Sequence, residues 1–283
     1  MTAGDLGIYL DRTARSVEER ARRLGLISKQ QEATDSARAM LREIRQPGAG
    51  TLAVSTAAPL PARPGWMPQK TYIASATNHG YFSAVEAAEQ AYVLGVLAAD
   101  GCIGSVHPRI HLGLQAQDAH LVEYVRDRLN PAAKLHRRPN GYAMLQVTSR
   151  QMVADLAAYG IVPRKSRILQ WPAQLGELLR PFLLGYFDGD GSMYLPRDRH
   201  GRERPGWTVC SGTEQFLIDM KDYIRAATGV EMQKIQHRAG ADLWQVAITG
   251  LGAVVVSEFL HLDGLGLERK RFPERVVAWY QPA

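Results

Sequence analysis

Two stretches of this chain are apolar on nearly every side, carry small residues four apart, and end in Asp-Gly. The first reads Tyr92-Val93-Leu94-Gly95-Val96-Leu97-Ala98-Ala99-Asp100-Gly101, the second Phe182-Leu183-Leu184-Gly185-Tyr186-Phe187-Asp188-Gly189-Asp190-Gly191. Both are far shorter than the roughly 20 residues of a membrane span, so helices of this kind belong in a core. Gly95 and Ala99 share one face of the first, and Gly185 and Gly189 share one face of the second. Small residues at that spacing let two backbones approach closely. Helices crossed at Gly95 and Gly185 bring Asp100 and Asp190 side by side.

A carboxylate at a helix C-terminus faces the negative end of the helix dipole. Two such ends together make sense with a divalent cation between them, held by the carboxylates and by free carbonyls of the last turn. Hard oxygen donors suit Mg²⁺, with Mn²⁺ as a substitute. Between two carboxylates and a phosphodiester, such an ion polarises the phosphoryl group and activates water.

Each of these helices opens a repeat. After the first, Ile110, Leu112 and Leu114 alternate with Arg109, His111 and Gln115, as in a strand. A helix-like stretch from Asp118 to Leu129 follows. Strands then come around 134–138 and 142–148, split by the turn Pro139-Asn140-Gly141. The second half repeats the order: a strand at Trp207 and Val209, a helix over 214–227, and strands near 232–238 and 243–249. Two copies of one supersecondary unit are expected, each needing the other to bury its face.

The two Asp-Gly helices resemble the LAGLIDADG motif, and the repeat order resembles that family's αββαββα half, over roughly residues 81–271. The resemblance implies an α+β fold of two pseudo-symmetric halves forming a saddle, whose curved sheets straddle DNA. It maps the motif acids onto Asp100 and Asp190, and the metal-facing carbonyls onto Ala99 and Gly189. It further implies a lysine late in each half, Lys165 and Lys270, which would stabilise developing charge or help activate water; a dipole-compensating surface charge is the other reading. Ala98 stands where the motif has its first aspartate. A polar residue that some members supply from the third strand has no match at Ala116 or Gly212. The implied activity is site-specific hydrolysis of both strands of duplex DNA at a long, near-asymmetric target by a monomer. An RNA maturase and a catalytically silent DNA-binding regulator are the alternatives on this fold.

Strand alternation assigns a surface to that partner. Arg109, His111 and Gln115 oppose the apolar positions, as do Tyr142, Gln146 and Thr148, and later Gln245 and Thr249. Lys134, His136, Arg138, Lys234, Gln236 and Arg238 add basic and amide groups, and His237 is expected with them. Such side chains on a β-ribbon match major-groove edges. The loop 196–205 is read as flexible, with Arg197, Arg199 and Arg202 gripping phosphates or simply solvated. A formal net charge of +6 favours a polyanionic partner.

Ahead of the repeat, residues 1–28 read as helix, turn, helix, with Arg15, Arg20 and Arg23 on a basic face. This segment resembles the last two helices of Myb-like helix-turn-helix domains; a solvated amphipathic helix is the other reading. Residues 29–80 read as a helix through Ile44 followed by a Pro/Ala-rich linker, with the halves at 81–170 and 171–283. Cys102 and Cys210 fit neither a disulfide framework nor a zinc site. With no leader or membrane span evident, a cytoplasmic location is expected, an organellar origin staying open.

Overall fold

The computed structural model describes residues 29–44, 62–139 and 141–280. The helix-turn-helix-like segment with Arg15, Arg20 and Arg23, most of the Pro-rich stretch, and Asn140 lie outside the described residues. The first half runs α3 (Ala88–Ala99), β1 (Cys102–Ile103), β2 (Arg109–Leu114), α4 (Ala119–Leu129), β3 (His136–Arg137), β4 (Ala143–Thr148), α5 (Arg150–Ala157). The second runs α6 (Leu179–Asp190), β5 (Gly191–Tyr194), β6 (Gly206–Ser211), α7 (Glu214–Thr228), β7 (Gln236–Arg238), β8 (Leu243–Thr249), α8 (Leu251–Leu260). This is αββαββα twice. Each half forms a four-stranded antiparallel sheet, in the orders β1-β2-β4-β3 and β5-β6-β8-β7.

Helices α3 and α6 form the centre. Residues 91–98 of α3 are all buried, as are 181–188 of α6. Gln90 starts α3 by accepting the amides of Glu86 and Ala87, both at 3.0 Å. Pro181 sits in the first turn of α6, where its missing amide costs nothing. At the crossing the approach is backbone on backbone. A Cβ added to Gly95 would lie 2.0 Å from the Phe182 oxygen, and one on Gly185 would lie 2.0 Å from the Tyr92 oxygen. The reciprocity is that of a pseudo-two-fold axis through the two glycines.

On the sheets, Ile110, Leu112, Leu145 and Val147 bury one face of the first, and Trp207, Val209, Val246 and Ile248 one face of the second. The Pro139 turn closes with Arg138 N–H on the Tyr142 carbonyl at 2.8 Å, and Gly141 takes φ +86°. The first strand of the second hairpin in each half is shorter than the alternation predicts: β3 has two residues and β7 three. Both are edge strands with no apolar face to hold a longer ladder.

Among the described residues, three α-helices lie outside the repeat. The first, α1 (Lys29–Ile44), packs on α8 through buried Ala37, Leu41 and Ile44. It is therefore part of the second half's core rather than a free connector. The second, α2 (Gln69–Ser75), is tied to the first half by Asn130, whose amide donates to the Ile73 carbonyl at 2.9 Å. The third is α9 (Glu274–Tyr280). No helix among the described residues is long and apolar enough to cross a membrane.

Candidate active site

The α3–α6 crossing carries the two helix C-termini to one place. Asp100 caps α3 and Asp190 is the last residue of α6. A Cβ on Gly189 would come within 2.6 Å of Asp100 Oδ2 and 2.4 Å of Ala99 Cβ, so the Asp100 carboxylate lies over the last turn of α6. Both carboxylates are open to solvent on one side and backed by packed helix ends on the other. That backing desolvates Asp100 and, with the Asp190 charge beside it, raises its pKa from 3.8 to about 6, against the pull of Lys270 and Lys165. Burial raises Asp190 as well, opposed by the Tyr186 phenol and both lysines.

The lysines are buried, each about 5% exposed, so neither is a charge on the surface. Lys165 Nζ donates to the carbonyls of Gly101 at 2.6 Å and Ala99 at 3.2 Å. Lys270 Nζ donates to the main-chain carbonyls of Asp188 at 2.5 Å, Gly191 at 2.8 Å, Phe187 at 3.0 Å and Gly189 at 3.3 Å. Each ammonium therefore caps the C-terminus of its own half's motif helix, where unpaired carbonyls and the dipole favour a cation. Burial lowers both lysine pKa values, with the aspartates opposing. The Ala99 and Gly189 carbonyls take the longest contact of their lysine and keep a second lone pair.

Asp100, Asp190, Lys165, Lys270, Ala99 and Gly189 are thus brought together. No cluster of three or more His, Cys, Asp or Glu suited to a metal occurs among the described residues. Two carboxylates with adjacent carbonyls fit Mg²⁺, which keeps waters and takes the remaining ligands from phosphate. They do not fit a cation needing a full protein cage.

Strand register places the surface residues. Paired residues share a face, and Arg109 pairs with Thr148, His111 with Gln146, and His136 with Met144, opposite the buried row. Gln115, Lys134, Arg138 and Tyr142 are exposed beside them. In the second sheet Gln236 and Cys210 both pair with Gln245. Arg238 Nε donates to Gln245 Oε1 at 2.5 Å, and Gln245 Nε2 to Thr208 Oγ1 at 2.7 Å, so these groups are pre-oriented. Lys234 is exposed just before β7.

Two expectations are corrected. His237 pairs with Trp244 and lies against it, ring centroids 4.6 Å apart, on the opposite side from Gln245. The loop 196–205 is a braced hairpin rather than a flexible one. Asp198 accepts the amides of His200 and Arg202 at 2.8 and 3.0 Å, and Arg197 pairs with Glu203 at 3.3 Å. Arg199 and Arg202 remain exposed.

Several groups at the site escape the sequence reading. Tyr186, one turn before Asp190, donates its hydroxyl to the Cys210 carbonyl at 3.1 Å and, standing beside the Asp190 carboxylate, opposes the rise in its pKa. That i, i+4 spacing was the available signal. Arg269, next to Lys270, holds Asp118 of the first half through two bonds of 2.7 and 2.5 Å. A polar cavity of about 280 Å³ lies between Arg269, Lys270, Ser192 and Gly189.

No protein-family model and no curated protein sequence matches the chain. Solved structures of similar architecture include the I-LtrWI LAGLIDADG homing endonuclease bound to target DNA. It is 10% identical at a TM-score of 0.43, over 68% of this chain and 87% of that one. The LAGLIDADG homing endonuclease I-GzeII in complex with its DNA target is 12% identical at 0.44, over 67% and 86%. Variants of I-DmoI are 16% identical at 0.40, over 68% and 97%. All three are homing endonucleases.

Proposed function

We propose that this chain is a LAGLIDADG-type homing endonuclease, a monomer that hydrolyses both strands of a long, near-asymmetric duplex DNA site. One observation carries the reading. Two aspartates meet at the ends of glycine-crossed helices, between two sheets whose open faces carry Arg, Lys, His and Gln. Asp100 and Asp190, with the Ala99 and Gly189 carbonyls, would hold Mg²⁺ or Mn²⁺. When bound, the ion supplies Lewis acidity at a phosphodiester and lowers the pKa of water.

The chain's own residues do the rest. Lys165 and Lys270 cancel the negative helix ends, so that two carboxylates can stand together in a desolvated place. Their ammonium groups also add positive potential where a phosphorane would gain charge. The Tyr186 phenol, beside the Asp190 carboxylate, favours its ionised form. The sheet faces present base-reading side chains, and Arg199 and Arg202 stand ready for phosphates.

The test uses plasmid DNA made by joining the two sequences that flank this protein's gene. With Mg²⁺ the full chain is expected to linearise it. Asp100→Asn and Asp190→Asn are each expected to bind it with near-native affinity and not to cut. Linearisation by both variants at the wild-type rate would overturn the assignment.

A further inference from the structure

Resting on that reading, we propose that Asp188 is a positioning residue for Lys270, held in that role by Tyr92 from the other half. Asp188 is 4% exposed, on the side of α6 that meets α3. Its Oδ2 accepts the Tyr92 hydroxyl at 2.6 Å and the Leu267 amide at 2.9 Å. Leu267 immediately precedes the 3₁₀ turn 268–270, which closes with the Lys270 amide on the Leu267 carbonyl at 2.8 Å. The chain reaches that point through Gly264 at φ +67° and Gly266 at φ +101°. A hydrogen bond at Leu267 therefore sets where the turn begins, and the Lys270 side chain leaves from its other end.

The first half has no such device. Ala98 occupies the matching place in α3 and offers no side-chain acceptor. Its lysine turn is set instead by Arg164 at φ 62° and by the Lys165 amide on the Val162 carbonyl at 3.2 Å. A buried carboxylate is a costly choice in a helix interface, more so because Asp188 Oδ1 has no hydrogen-bond partner among the described residues. Packing alone would favour an alanine, as in α3. The return lies in the turn that carries Lys270.

The experiment uses the full chain with Asp188→Ala, Asp188→Asn and Tyr92→Phe. One arm follows hydrogen exchange at the Leu267 amide without metal or DNA; the other follows each strand of the joined flanking plasmid separately, with DNA affinity alongside. Asp188→Ala is expected to speed exchange at Leu267 by about tenfold, the loss of one hydrogen bond to a charged acceptor. It is expected to slow one strand selectively, so that nicked circles accumulate while affinity is unchanged. Asp188→Asn can still accept both bonds on its amide oxygen and is expected to restore Leu267 protection and the slowed strand. Tyr92→Phe keeps the Leu267 bond and is expected to slow the same strand, by less. A misfolded protein would not slow one strand alone.

The proposal is overturned if Asp188→Ala leaves Leu267 exchange unchanged, or cuts both strands in the wild-type ratio. It is also overturned if Asp188→Asn slows the strand as much as Asp188→Ala, since charge rather than position would then matter. A wild-type chain that cuts nothing would remove the endonuclease reading alone, because the exchange arm tests the hold on Leu267 without any cleavage.

Discussion

Gly95→Ala is expected to be among the most damaging single-methyl additions in this protein. Its Cβ would sit 2.0 Å from the Phe182 oxygen, where ordinary contact begins near 3.4 Å. The obstacle is backbone, with no rotamer to change, so α3 and α6 must separate by roughly 1 Å. A radial gap of that size forfeits a quarter to a half of each contact's dispersion energy, along two helices whose middle residues are all buried. Alanine returns about 1 kcal/mol of helix propensity. A net loss of about 3–5 kcal/mol is expected, the range of severe core disruption. In a domain of this size that corresponds to a fall in Tm of about 10 °C. Gly185→Ala is expected to match it, its Cβ meeting the Tyr92 oxygen at the same distance. The double variant is expected to lose much less than the sum, because one separation relieves both clashes. Gly240→Ala, with nothing within 4 Å of the new Cβ, is the control. Thermal and guanidinium unfolding of these four variants beside the wild type decide it. A Gly95→Ala protein within about 2 °C of wild type, or a fully additive pair, would refute the backbone-contact argument.

Ca²⁺ in place of Mg²⁺ is expected to permit the DNA complex without cutting, since its larger, looser shell orients water poorly; equal cleavage in EDTA would remove the metal from the reading. The metal-free protein is expected to gain stability as pH falls from 7 to 5. Burial raises the Asp188 carboxyl from 3.8 to about 6, and that of Asp100 likewise. The fold thus favours the protonated acids, and their contribution is lost as pH rises through 6. Tm measured in EDTA checks this, and a Tm that drops steadily from pH 7 to 5 would contradict it. Deleting residues 1–28 is expected to keep Tm while shortening the DNA footprint and lowering the salt slope. Deleting 1–68 also removes α1 and bares α8, and is expected to lower Tm sharply. A 1–68 deletion that melts like wild type would show that α1 contributes nothing.

What the sequence made legible was periodic or local. The all-apolar helices with glycine four before a small residue required a close crossing, and strict alternation placed Arg109, His111 and Gln146 on one face. Long-range pairings left no periodic trace. Asp188 meets Tyr92 across 96 residues and Leu267 across 79, and Arg269 meets Asp118 across 151. His237 misled because β7 has three residues, none apolar, so alternation had no anchor there. The arginine-rich loop looked loose by composition, but Asp198 ties its turn with two backbone bonds. The burial of both lysines was equally invisible. It follows from where two chain turns fold back, not from their neighbours in sequence.

The turns bearing the lysines are each fastened to the opposite half. Arg269 grips Asp118, Arg167 pairs with Asp242, and the Gly212 backbone leaves room only for the Ser166 carbonyl. A chimera that took one half from a relative would transplant a whole sheet face intact, yet would sever both fastenings at once. Its new lysine would arrive with nothing across the seam to receive it. The surfaces of this protein are modular by half, whereas its centre is shared property, inherited only as a matched pair.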